Sequence, residues 1–94
     1  MGTDLKIYEQ SISYVGYRRN ILYKEIATVW NNELIEKIQE KGQRNWYVSS
    51  ECGSEFELLG SELLEFANEI KKYDNEFDIT QVCEDDYYRC EVSY

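Results

Sequence analysis

The chain has 94 residues, 43% hydrophobic and 15% aromatic, which is too apolar for a disordered segment and the right length for one domain. Its formal net charge of −9 disfavours direct nucleic-acid binding, which needs cations to displace counterions, and favours a basic partner. No apolar run approaches the ~20 residues that span a bilayer, and Met1–Lys6 shows no secretory pattern, so a cytoplasmic protein is expected, with no membrane partner.

Leu5 to Val15 reads as a strand. Leu5 and Ile7 alternate on one parity and Ile12 and Tyr14 on the other, so a bulge is expected near Gln10 and Ser11. Gly16 ends it. From 19 to 41 the positions Tyr23, Ile26, Ala27, Trp30, Leu34 and Ile38 recur at helical spacing, with Lys41 in the last turn and Gly42 as the stop. The rival is a strand over Ile21–Trp30 followed by a short helix capped at Asn31 or Asn32. Its alternation is poor, because Lys24 shares a face with Leu22, Ile26 and Trp30. The helix is favoured.

Trp46–Ser50 and Glu55–Leu59 flank Cys52-Gly53 as a hairpin, with Trp46 and Val48 on one face and Phe56 and Leu58 likewise. Gly60 breaks the chain and Ser61 is an N-cap. Leu63, Phe66, Ala67 and Ile70 then predict an amphipathic helix over 61–73. The last segment, 77–94, reads as a second hairpin with its turn at Asp86-Tyr87. That register sets Cys83 against Cys90, Gln81 against Val92 and Glu84 against Arg89. The order is β-α-β-β-α-β-β, an α+β domain with two helices packed on an antiparallel sheet.

Little in this chain supports chemistry. There are three cysteines and no histidine, so the usual nucleophile–base pairs and Cys/His zinc sites are unavailable. Cys83 and Cys90 form a redox pair only if the hairpin register is right. The plainer expectation is two small apolar residues, with no neighbouring base to lower a thiol pKa. Glu84-Asp85-Asp86, with Asp74, Glu76 and Asp78, lacks the EF-hand pattern, and solvated carboxylates are the expected role. The chain is read as non-enzymatic, without metal or cofactor.

The charge pattern carries more. Residues 1–50 hold six acids and seven bases, whereas residues 51–94 hold 13 acids and three bases. Glu62, Glu65 and Glu69 recur along one helix face. Glu55, Glu57, Asp74, Glu76, Asp78, Glu84, Asp85 and Asp86 add acid from the same half, and Tyr87 adds an interface-type aromatic. These residues are the candidate partner-binding surface. The alternative is a solvated face that maintains solubility.

In character rather than by any motif, the Glu62/Glu65/Glu69 stripe and the Glu84-Asp85-Asp86 turn resemble small phage-encoded inhibitors that mimic nucleic acid, such as anti-CRISPR and anti-restriction proteins. The resemblance implies a stoichiometric inhibitor working in a bacterial host cell. It would occupy the basic, nucleic-acid-binding surface of a larger protein, such as a nuclease complex. A small acidic immunity protein or adaptor for a toxin is the second expectation, and a small-molecule binder or uncatalogued enzyme the third.

Overall fold

Alternation of Leu5 and Ile7 against Lys6 and Tyr8 builds the first strand, β1 (Asp4–Val15). Gly16, at φ 63°, turns it back into β2 (Arg18–Val29). The computed structural model describes residues 2–42, 47–50 and 53–94. Helix α1 (Asn32–Gly42) follows, then β3 (Tyr47–Ser50) and β4 (Gly53–Leu59). Two short helices come next, α2 (Gly60–Glu65) and α3 (Ala67–Tyr73), then a 3₁₀ turn at Ile79–Gln81 and the last strand, β5 (Tyr87–Ser93). The strands form one antiparallel five-stranded sheet in the order β2-β1-β5-β4-β3.

The α+β class expected from the sequence is present, with helices packed on an antiparallel sheet. Leu5, Ile7, Ala27, Val29, Phe56, Leu58, Tyr88, Cys90 and Val92 point from the strands into one core. Leu34, Ile35, Ile38, Leu63, Ala67 and Ile70 come down from the helices to meet them. All three helices therefore cover a single face of the sheet. The other face is open.

Three expectations are corrected. First, residues 18–29 are a strand, and the helix begins only at Asn32, as in the rival reading. Asn31 caps it, its Oδ1 accepting from the Leu34 N–H at 2.9 Å. The bulge lies at the Ile7/Tyr8 step, where β2 contributes the extra residue Ile26. Ala27 and Val29 face the core, but beyond the bulge the odd residues Tyr23 and Ile21 face the open side. A strand whose parity flips in this way produces helix-like spacing at Tyr23, Ile26 and Ala27.

Second, the helix over 61–73 is broken at Phe66, which has φ −102° and ψ 0°. Leu63, Ala67 and Ile70 are buried as expected, and Phe66 is half-buried. The cap is not Ser61: the Glu62 carboxylate accepts from the Leu59 N–H at 3.0 Å. Third, 77–94 is not a hairpin. Only β5 is a strand, and it lies between β1 and β4, so Cys90 sits opposite Ile7 and Phe56 rather than Cys83. Both edges of β5 are taken. Residues 83–86 instead serve α2: Glu84 and Asp86 carbonyls accept from the Ser61 and Gly60 N–H groups at 3.1 and 2.7 Å. The expected partners Trp46 and Cys52 lie outside the described residues.

Candidate interaction surface

The open face of the sheet carries a polar network centred on Arg89. Its Nη2 lies 2.7 Å from Glu55 Oε1 and 3.0 Å from Glu91 Oε1. Its guanidinium sits 5.2 Å from the Tyr23 ring centroid, and Tyr23 meets Tyr8 edge-on at 6.4 Å. Partial burial opposes the charge on Arg89, but the Glu91 hydrogen bond and the Glu55 and Glu91 carboxylates outweigh it and hold the pKa above its usual value. Burial, then Glu91 and Glu25, push the Tyr8 hydroxyl up. Tyr8, Tyr23, Arg89 and Glu91 line a shallow hollow of about 450 Å³. The expected Glu84–Arg89 pair is thus replaced by Arg89 with Glu55 and Glu91.

The acids expected to form one surface are spread over several. Glu55 and Glu57 stand on the open face, on the opposite side of the sheet from Glu62, Glu65 and Glu69. Within the helical stripe, Glu62 is engaged at the start of α2, and Glu65 pairs with Lys41 at 3.2 Å. Glu69 lines a small cleft with Lys37 and Lys72. The stripe is therefore partly neutralised.

Asp74 and Asp78 do structural work. Asp74 accepts from the Thr28 N–H at 2.9 Å, covering part of the outer edge of β2. Asp78 accepts from Thr80 N–H and hydroxyl, which holds its carboxyl below the usual range. With Glu25 and Glu76 they border a cleft of about 460 Å³. Glu84, Asp85, Asp86 and Tyr87 are exposed. These three acids have no salt bridge among the described residues, while two of their carbonyls fix the backbone onto α2.

Sequence reasoning missed the arm. β1 pairs with β5 only as far as Glu9, so beyond it β1 and β2 continue as an isolated two-stranded ribbon. Seven of the eleven large apolar residues exposed among the described residues lie on it: Ile12, Tyr14, Val15, Tyr17, Ile21, Leu22 and Tyr23. Residues 10–24 hold Arg18, Arg19 and Lys24 and no acid, which leaves all 19 acids against seven bases elsewhere. The division of charge follows arm and body rather than the two halves of the chain. A signal was available in the switch of apolar parity between Ile7 and Ile12.

Neither Cys83 nor Cys90 is poised for chemistry. Burial raises the pKa of Cys90, and Asp86 raises that of the exposed Cys83. No group of metal-ligating side chains occurs among the described residues. No helix among them is long and apolar enough to cross a membrane. Comparisons with protein-family models, curated proteins and solved structures return no match.

Proposed function

We propose that the chain is a stoichiometric protein inhibitor that occupies a basic, nucleic-acid-binding surface of a larger protein. The observation that carries this is the Glu84-Asp85-Asp86 turn on a body of 19 acids and seven bases. Its carboxylates are exposed and form no salt bridge among the described residues, and its backbone is already fixed by the two hydrogen bonds to α2. Charges held in place lose little freedom on binding, and a one-signed field steers a basic partner towards them. The exposed Tyr87 beside the turn supplies a ring for an arginine.

The test begins with the immobilised chain and a nuclease-treated bacterial lysate at low salt. Captured protein is loaded with fluorescent nucleic acid and titrated with the free chain. Displacement at one-to-one stoichiometry, weakened by salt and by the triple change Glu84→Lys, Asp85→Lys and Asp86→Lys, is expected. Capture of proteins that hold no nucleic acid, or displacement indifferent to the triple change, would sink the reading.

A further inference from the structure

The arm is the feature the inhibitor reading leaves unused, and its two faces differ. Cross-strand partners share a face, so Tyr8 with Glu25, Gln10 with Tyr23, Ile12 with Ile21 and Tyr14 with Arg19 all lie on the open side. The other side carries Ser11, Ser13 and Asn20, with Leu22 and Val15. The apolar row on the open side therefore begins where the helical core ends, on the opposite face of the sheet from that core. Among the described residues no element covers it: Ile12 is 56% and Tyr14 70% exposed. A two-stranded ribbon without a covered face is only marginally stable in water.

We propose that a second copy of this chain covers it, the two arms crossing antiparallel, open face to open face, about a twofold axis near Ile12 and Ile21. The charges select this occupant. On the open face the tip of the arm carries Arg19, and the base carries four acids, Glu25, Glu55, Glu57 and Glu91, against Lys6 and Arg89. An antiparallel crossing lays each tip on the other copy's base. Tyr14, Tyr17 and Arg19 then reach the hollow between Tyr8, Tyr23, Arg89 and Glu91 of the second copy. Ile12 and Ile21 meet their own counterparts at the axis, as an isologous interface requires.

Sedimentation velocity of the purified chain tests this without any target, so its failure is distinct from failure of the inhibitor reading. A concentration-dependent monomer–dimer equilibrium is expected. The pair Ile12→Lys and Ile21→Lys should raise its dissociation constant at least 100-fold, and Arg19→Glu should raise it several-fold at low salt only. Far-ultraviolet circular dichroism serves as the folding control, since neither isoleucine belongs to the core. Ile12→Cys should cross-link two copies, and Ser13→Cys, on the opposite face, should not. A monomer at every concentration, open-ended assembly, or a dimer that survives the isoleucine pair would overturn the proposal. So would cross-linking at 13 instead of 12.

Discussion

The first and second halves of the β1–β2 hairpin share strands, register and hydrogen bonding, yet they are different materials. Near the body, Leu5, Ile7, Ala27 and Val29 are almost fully buried between the sheet and the helices. Past Glu9 the ribbon has neither a neighbouring strand nor a helix beneath it among the described residues, and Ile12, Tyr14, Ile21 and Tyr23 stand on the other face. Strand pairing alone therefore does not tell where a domain's core stops. The face on which the apolar residues stand does, and a change of face marks the boundary between what the chain buries for itself and what it presents.

The largest contrast between the two regions should appear in stability. Phe56 is fully buried, and Phe56→Ala should cost about 3–5 kcal/mol in urea denaturation. Tyr14→Ser, on the arm, should cost within about 0.5 kcal/mol when measured at a dilution where the chain is monomeric. Equal losses would mean that the arm belongs to the cooperative folding unit, and the division into body and arm would fail.

A smaller effect tests the junction of body and acidic turn. A Cβ at Gly60 would stand 1.8 Å from the Cys83 carbonyl oxygen, which is backbone and cannot swing aside. Gly60→Ala should therefore cost about 1–3 kcal/mol. It should also speed amide exchange at Gly60 and Ser61, whose N–H groups bond to the 84–86 segment. A neutral substitution would show that this segment is not held on α2.

The alkaline limb of stability should also belong to the body. In the unfolded chain the Cys90 thiol releases its proton near 9.0, and burial holds the folded value above that. The unfolded state then binds fewer protons, so stability is full below pH 9 and falls as pH rises. The slope is about 1.4 kcal/mol per pH unit for one such group. Tyr88 and Tyr8, both raised from 10.0, add to it further up. Cys90→Ala should start less stable and lose less between pH 9 and 10. An unchanged slope would locate the titration elsewhere.

How much of this was legible follows from what each residue's environment owed to its sequence neighbours. The helix near 61–73 and the existence of the β3–β4 pairing depend on local periodicity and were readable, apart from the break at Phe66 and the β3–β4 register, which sets Tyr47 opposite Phe56 and Val48 opposite Glu55 rather than Val48 on the Phe56 face. The strand over 18–29 was not, because the bulge at Ile26 inverts parity within a few residues. The segment 77–86 failed for another reason. Its match to 87–94 was real on paper, but β5 finds better partners in β1 and β4, which are distant in sequence. The acidic surface was readable as composition only. Charge counts did not show that Lys41 would meet Glu65, or that Arg89 would be held between Glu55 and Glu91.

The smallest stability effect is the most useful for function. Glu84, Asp85 and Asp86 are exposed, and their segment is held by backbone bonds to α2 and by the Cys83 N–H donating to the Tyr88 hydroxyl at 2.8 Å. Reversing all three to Lys should therefore leave the melting temperature nearly unchanged, each site costing within about 0.5 kcal/mol. It adds two charges at each of three sites, moving the net charge of −9 to −3 and relieving some self-repulsion. Reversing Glu62, Glu65 and Glu69 is a poorer experiment, because it breaks the Lys41 pair and the Leu59 contact and so mixes folding with binding. Against the proposed basic surface, the 84–86 reversal should slow association at low salt. It should also flatten the dependence of the rate on ionic strength, since attraction beyond about 8–10 Å is screened. Surface plasmon resonance across a salt series reads both, with thermal melts on the same samples. An unchanged association rate with an unchanged melt would make these carboxylates solubility groups and move the search to the arm. A lowered melt would show that the side chains, and not only the backbone, hold the turn on α2.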